Sequence, residues 1–226
     1  MPVTLVRHCE SLYNCASAEQ KRVAKLAGVN HPLRDADLTP KGELQASRLA
    51  QNALSHFPGV HVVIVSPLRR ALRTAIPVAA ALGAKLIISP VLREIRRDIS
   101  DVGTPGEELD RQFPDLGLDK LPARWWIEDS CDDDECSETN ECAGCVARRA
   151  ALFRNIVRDN EGAIIVSHSD FLNEVCEADL ENGECAEFDP ECERKVEYWA
   201  RTAWRLGETL ARKRNLPADN SKRHDA

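Results

Sequence analysis

The sequence predicts an α/β fold, a three-layer α/β/α sandwich built on a mostly parallel central sheet. Three observations carry that expectation. Short β-favouring runs recur at residues 4–6, 60–65, 85–88 and 163–167, and the second and fourth are β-branched or apolar almost throughout, as strands covered on both faces are. Helical stretches separate the runs, and strand-helix alternation gives parallel strands with helices on both faces. At 226 residues the chain can bury a substantial core as one domain. Residues 1–226 are therefore read as a single domain with an acidic, cysteine-rich loop at 128–145 and a frayed tail at 215–226.

Taken in order, the first strand ends at Arg7-His8, and helical composition over residues 16–27 stops at Gly28. Residues 29–37 are turn-rich. Thr39 followed by Pro40 reads as an N-cap and first helical position, so a helix should run over residues 40–55. The second strand turns at Ser66-Pro67 into a helix over 68–82 that stops at Gly83. Three arginines, Arg69, Arg70 and Arg73, sit in its first turns, where positive charge opposes the helix dipole and calls for an anion. After the third strand, residues 91–106 read as a loop carrying Glu94, Asp98 and Asp101, and 107–113 as a short helix. Helices are expected over 146–158, 171–180 and 191–214, with residues 185–188 as a last edge strand.

Composition narrows the function. Hydrophobic residues at 43% and charged residues at 30% describe a globular chain. A net charge of -7 disfavours nucleic acid and anionic membrane as partners, so a phosphate ligand would have to be held by locally clustered basic groups. No run has the length of a transmembrane helix, and the N-terminus lacks the plan of a signal peptide. With nine cysteines and no such signal, the expectation is a cytoplasmic protein with reduced thiols.

The chemistry concentrates where strands end. In an open α/β sheet, ligands bind beyond the carboxyl ends of the strands. Arg7 and His8, Arg69 or Arg70, and His168 fall at such ends. Two imidazoles and at least two guanidiniums around one point suit phosphoryl transfer: arginine forks hold phosphate oxygens while an imidazole nitrogen faces phosphorus. The competing reading of any one of these residues is an ordinary surface or core side chain. Their consistent order along the chain favours the site.

Those stretches resemble the histidine phosphatase (phosphoglycerate mutase-like) superfamily. LVRHCESLYN is similar to that family's RHGE signature with its downstream Asn, DLTPKGELQA to the LTxxGxxQA segment, and VSPLRRALRTA to SxLxRAxxTA. LREI resembles the segment bearing the acid, AIIVSHSDFL the second-histidine segment, and NGECAEF the late edge strand. The resemblance implies that His8 is the nucleophile and forms a phosphohistidine. It implies that Arg7, Asn14, Arg70 and His168 hold the phosphoryl oxygens, and that Glu94 protonates the leaving oxygen and then activates water. It implies a small phosphorylated substrate, no cofactor and no catalytic metal, and says nothing of oligomeric state. Arg69 and Arg73 are left as solvated or ion-paired. A phosphatase is the leading reading, with a mutase or a non-catalytic phosphate-binding scaffold as alternatives.

Three positions depart from the family pattern. Cys9 replaces a glycine after the first histidine and would be strained if its φ were positive. Ser169 and Asp170 replace glycine after the second, and Asp170 could repel an anion or act as a rival acid. The loop cysteines Cys131, Cys136, Cys142 and Cys145 read C-x4-C-x5-C-x2-C. Zinc or a regulatory disulfide is one reading, and an insertion with free thiols is the other, favoured by irregular spacing and acidic neighbours that oppose thiolate formation. Trp125 and Trp126 are expected to pack in the core.

Overall fold

The computed structural model describes residues 1–128, 131 and 133–189, together with the backbone of Glu197–Tyr198. Six strands form one sheet: β1 (Val3–Arg7), β2 (Val62–Val65), β3 (Lys85–Ile88), β4 (Ile164–Ser167), β5 (Cys185–Phe188) and the two-residue β6 (Glu197–Tyr198). Their order is β3-β2-β4-β1-β5-β6. The first four in that order are mutually parallel, whereas β5 runs antiparallel to β1 and β6 antiparallel to β5. The sheet is thus mostly parallel, as its alternating sequence predicts.

Seven helices accompany it among the described residues: α1 (Leu12–Cys15), α2 (Ala18–Ala27), α3 (Pro40–His56), α4 (Arg69–Leu82), α5 (Gly106–Gln112), α6 (Ala143–Asp159) and α7 (Ser169–Cys176). Strand residues alternate between two cores. Val6, Val63, Val65, Ile164 and Val166 face a cluster containing Leu49, Leu72 and Trp125. Leu5, Ile64 and Ile165 face one containing Phe153 and Phe171. The period-two pleat sends neighbours to opposite faces, and helices α3 and α4 cover one while α6 and α7 cover the other. No helix among the described residues is long and apolar enough to cross a membrane.

Local sequence explains the element ends. Thr39 accepts a hydrogen bond from Gly42 N–H at 3.0 Å, and Pro40 opens α3. Gly42 has no alternative there, because a Cβ would lie 2.0 Å from the Glu10 carbonyl oxygen. Helix α4 has no side-chain cap of its own. Buried Asp35, distant in sequence, accepts from Arg69 N–H at 2.9 Å and from Thr104 N–H at 3.1 Å, pinning the turn-rich segment to the helix start.

Several expectations need correction. Residues 12–15 form a short helix, and the helix expected over 16–27 begins at Ala18. The helix expected over 171–180 spans Ser169–Cys176 and ends at Glu177, whose φ of 55° breaks it. The helix expected over 191–214 lies outside the described residues, except that Glu197–Tyr198 pair as a strand with β5. The loop expected over 128–145 is not simply exposed: Glu141, Cys142 and Cys145 are buried, and Ala143 already begins α6.

Candidate active site

The parallel register aligns the strand ends that matter. Arg7 pairs with Ser167 and Val65 with Val166, so His8, Ser66 and His168 leave neighbouring strands at one level. Arg70 arrives from the first turn of α4, not from a strand end. The rings of His8 and His168 lie 5.0 Å apart at 53°, and both are buried.

Hydrogen bonds set the two rings up differently. His8 Nδ1 is 2.7 Å from the Cys9 carbonyl oxygen, which can only accept, so the ring proton is on Nδ1. Nε2 is left with its lone pair, which accepts from Arg70 Nε–H at 3.3 Å. His168 Nε2 lies 2.8 Å from the Ser66 hydroxyl, which itself accepts from Leu68 N–H. The Ser66 hydroxyl, with one proton and two lone pairs, engages Nε2 in either ring tautomer, so Nδ1 is the His168 nitrogen left over. That nitrogen is buried and has no hydrogen-bond partner. Burial, then the Arg70 charge, holds both imidazoles well below the ordinary histidine value. Both are neutral near pH 7.

Arg70 is locked in place. Besides His8, its guanidinium donates to the Ser100 carbonyl at 2.6 Å and to Asp101 at 3.1 Å. Arg7 donates Nη1 to the Leu180 carbonyl at 2.7 Å, while its Nε is buried without a partner. The buried, unpaired Arg7 Nε–H is a donor of the kind an oxyanion would satisfy, and the unpaired His168 Nδ1 is a second when it carries the ring proton. Asn14 uses its oxygen to cap α1 by accepting from Ser11 N–H at 3.0 Å. Asn182 Nδ2 bridges that oxygen at 3.2 Å and the His8 carbonyl at 3.0 Å, tethering Asn14 to the end of β1.

Glu94 is buried and accepts three backbone N–H groups. Oε1 takes Ile95 at 2.9 Å and Phe171 at 2.8 Å, and Oε2 takes Asp170 at 3.1 Å. It thereby caps α7, the helix that starts after His168. Burial, reinforced by the Asp101 charge, outweighs these donors and pushes its carboxyl up to about 7. Oε2, with one donor, is the oxygen with room for a proton. Arg7 and Arg70 both feel its charge.

The other candidates resolve clearly. Cys9 has no positive φ and carries no backbone strain. Its N–H donates to Thr74 Oγ1 at 3.0 Å, and burial raises its thiol to about 12, which makes it inert. Asp170 is half exposed and pairs with Arg97 at 3.4 Å. Arg73 pairs with Asp37 at 3.1 Å, and Arg69 donates to the Asp35 carbonyl at 2.7 Å. Trp125 and Trp126 are buried and meet edge to face. Ser66, Asp101, Asn182 and Asp35 are site-supporting residues to which the sequence reading gives no such role, although Ser66 lies in the segment similar to SxLxRAxxTA and Asn182 in NGECAEF.

A mostly parallel α/β sheet that brings two buried imidazoles from neighbouring strand ends against a buried arginine from the following helix is an arrangement suited to a phosphate group. The chain belongs to the histidine phosphatase superfamily (branch 1), whose family model matches residues 3–208. It is 37% identical over 91 residues to a Hydrogenobacter thermophilus protein named "Putative phosphoserine phosphatase 2", covering 40% of this chain and 38% of that one. It is 35% identical over 99 residues to a "Probable phosphoglycerate mutase" of Erwinia tasmaniensis, covering 44% and 40%. The chain thus spans about two fifths of the length of these curated relatives. A mycobacterial glucosyl-3-phosphoglycerate phosphatase solved with VO3 superposes with a TM-score of 0.52 at 17% identity, over 87% of this chain and 95% of that one. An Entamoeba histolytica phosphoserine phosphatase mutant bound to phosphoserine gives 0.51 at 20%, over 91% and 98%. These two likenesses establish a shared fold.

Proposed function

We propose that the protein is a phosphatase that hydrolyses a small phosphomonoester in the cytoplasm through a phosphohistidine on His8, without a catalytic metal. The observation that carries this reading is the different setting of the two buried rings: His8 has its lone pair on Nε2, and His168 has Nε2 engaged by Ser66 and Nδ1 unpartnered, where the mechanism places the ring proton. His8 Nε2 attacks phosphorus, and the bond from phosphorus to the ester oxygen breaks as Glu94 gives that oxygen a proton. Water then attacks the phosphohistidine, Glu94 takes its proton, and inorganic phosphate leaves with His8 restored. Arg7, Arg70 and His168 donate to the oxygens as charge builds, and Asn14 has its side-chain amide N–H free to join them. A panel of phosphomonoesters that includes phosphoserine and 3-phosphoglycerate, run on wild type and His8→Ala in parallel, tests the reading. Isomerised substrate in place of free phosphate would favour the mutase reading, to which the name of the Erwinia relative lends weight.

The reading has a pH signature. His8 must be neutral to attack, and its folded pKa lies well below 6.5. Glu94 must be protonated to expel the leaving group, and its carboxyl titrates near 7. The profile of kcat/KM should therefore fall above about pH 7 as Glu94 loses its proton, and fall again only well into the acid range. Glu94→Gln should remove the alkaline limb, and the substrate's own ionisation, common to both enzymes, drops out of the comparison. The variant should slow alkyl esters by roughly 100-fold or more and p-nitrophenyl phosphate much less, because a good leaving group needs no proton. Equal losses on both would point to Asp101 or Asp170 as the acid.

Arginines and imidazoles surround the proposed phosphate, and magnesium chemistry would need free carboxylates instead. Adding magnesium, or omitting it, should leave kcat/KM unchanged within about two-fold. A strict magnesium requirement would overturn the metal-independent mechanism.

A further inference from the structure

Away from the strand-end site, the four cysteines of the acidic loop converge. Their Sγ atoms all lie within 4.8 Å of one another. Cys131 and Cys142 are 3.6 Å apart, and Cys136 and Cys145 are 3.7 Å apart. A tetrahedron of sulfurs placed about 2.3 Å from a central zinc ion has edges of about 3.8 Å. Both pairs are at that spacing and well beyond a disulfide bond of about 2.05 Å. Irregular spacing in the sequence is no obstacle, because the chain doubles back through the Ser137–Asn140 bridge and returns Cys136 to the start of α6. There Cys142 and Cys145, with two residues between them in the C-x2-C segment, sit at the first turn, with Cys142 as N-cap.

We propose that Cys131, Cys136, Cys142 and Cys145 bind one zinc ion as a closed structural site. Each thiol gives up its proton as its sulfur bonds the metal, and zinc neither gains nor loses an electron. Four thiolates and one dication leave two negative charges, and two guanidiniums, one shared with Glu128 and one with Glu141, donate to the sulfurs. Arg148 Nη2 donates to Cys145 Sγ at 3.2 Å, and Arg96 Nη2 to Cys136 Sγ at 3.7 Å. Backbone N–H groups add two more donors, from Cys142 to Cys136 Sγ at 3.4 Å and from Cys145 to Cys142 Sγ at 3.5 Å. Such N–H···S contacts are the outer support that a thiolate-bound metal needs. Four protein ligands leave no open position, so the ion has no part in phosphoryl transfer. Its role is to fasten an acidic loop with few large apolar side chains, and with it Glu141, which precedes Cys142 and sits among Arg93, Arg96 and Arg149. The soft, compact, all-sulfur donor set selects zinc over magnesium or calcium.

The test uses the full chain, purified under reducing conditions with any affinity tag removed, and does not depend on the activity proposed above. Elemental analysis should find about one zinc per chain, and replacement by cobalt should give thiolate-to-cobalt charge transfer and the d–d bands of a tetrahedral site. Cys136→Ser should lose most of the zinc, while Cys15→Ser, at an exposed thiol outside the cluster, should keep it. A strong chelator should lower Tm by roughly 5–15 °C, with recovery on adding zinc back. If Cys136→Ser does not fold, the metal content and cobalt spectrum of the wild type decide the matter. Less than about 0.2 zinc per chain with no cobalt spectrum after reconstitution would overturn the proposal. So would iron in place of zinc, or an intact mass showing the four cysteines paired as disulfides.

Discussion

His8→Ala should abolish turnover, by roughly 10,000-fold or more, and abolish acid-labile phosphoryl labelling with it. His168→Ala should slow turnover but leave label on His8. Both side chains are buried and their rings are 5.0 Å apart, so proximity does not separate their roles. Hydrogen bonding does. The Cys9 carbonyl takes the Nδ1 proton of His8 and exposes a lone pair on Nε2, whereas Ser66 takes up Nε2 of His168 and leaves Nδ1 unpartnered, the atom from which the proposed mechanism has it donate. Attack needs the former and stabilisation of a phosphoryl oxygen the latter. Rapid quench with labelled substrate, followed by mapping of the phosphopeptide, measures both outcomes. Label recovered at His168 would reverse the assignment, and a burst of free phosphate from His8→Ala would remove covalent catalysis altogether. Ser66→Ala should behave as a mild His168 variant, since it loosens the ring without deleting the donor.

The strand ends and the residues on them were legible in the sequence because their signals are local. A β-branched run followed by Arg-His or by Ser-His states its own position in an α/β sheet. The choice between Arg69 and Arg70 rested on resemblance. The structure separates them by burial: Arg70 turns inward to His8, Ser100 and Asp101, and Arg69 turns back to Asp35. What escaped the sequence were partners brought in from afar. Asn182 meets His8 across 174 positions, and Asp35 caps a helix 34 positions away. Asn182 opens the NGECAEF segment and Asp35 lies in the turn-rich stretch, but neither segment announces its partner, because the contact exists only once the sheet order is known. Glu141 escaped for a different reason. Its neighbours are acidic and polar, so composition reads it as solvated, while the cations that draw it inward come from two other segments. Glu94 shows the same limit in reverse. Its place in LREI was visible, but its second task of capping α7 was not.

Glu141 should accordingly be among the most costly side chains to remove. Its carboxylate is fully buried and pairs with Arg93 at 2.7 Å and Arg149 at 2.6 Å, with Arg96 at 3.8 Å. Those arginines reach outward to backbone carbonyls that would otherwise be short of donors. Arg93 Nε donates to Trp126 at 3.0 Å, and Arg149 Nη1 to the carbonyl of Arg93 at 2.7 Å, beside Glu94. Deleting the anion leaves three guanidiniums crowded together in low dielectric, so Glu141→Ala should cost about 3–5 kcal/mol, a fall in Tm of roughly 10 °C. Glu141→Gln keeps the shape and some of the hydrogen bonding and should fall between. Burial works to raise the Glu141 carboxyl, but attraction to Arg149 and Arg93 outweighs it and holds the group below its ordinary value of 4.5. A carboxyl lowered on folding stabilises the protein above that value, and the contribution is lost as pH falls through the folded pKa. The difference in denaturation midpoint between wild type and Glu141→Gln should therefore be constant near neutral pH and shrink below about pH 4.5. Metal content measured on both variants separates loss of the ion pairs from loss of the neighbouring thiolate cluster. A cost under about 1 kcal/mol, or a difference that does not change with pH, would mean that the three arginines find their balance elsewhere.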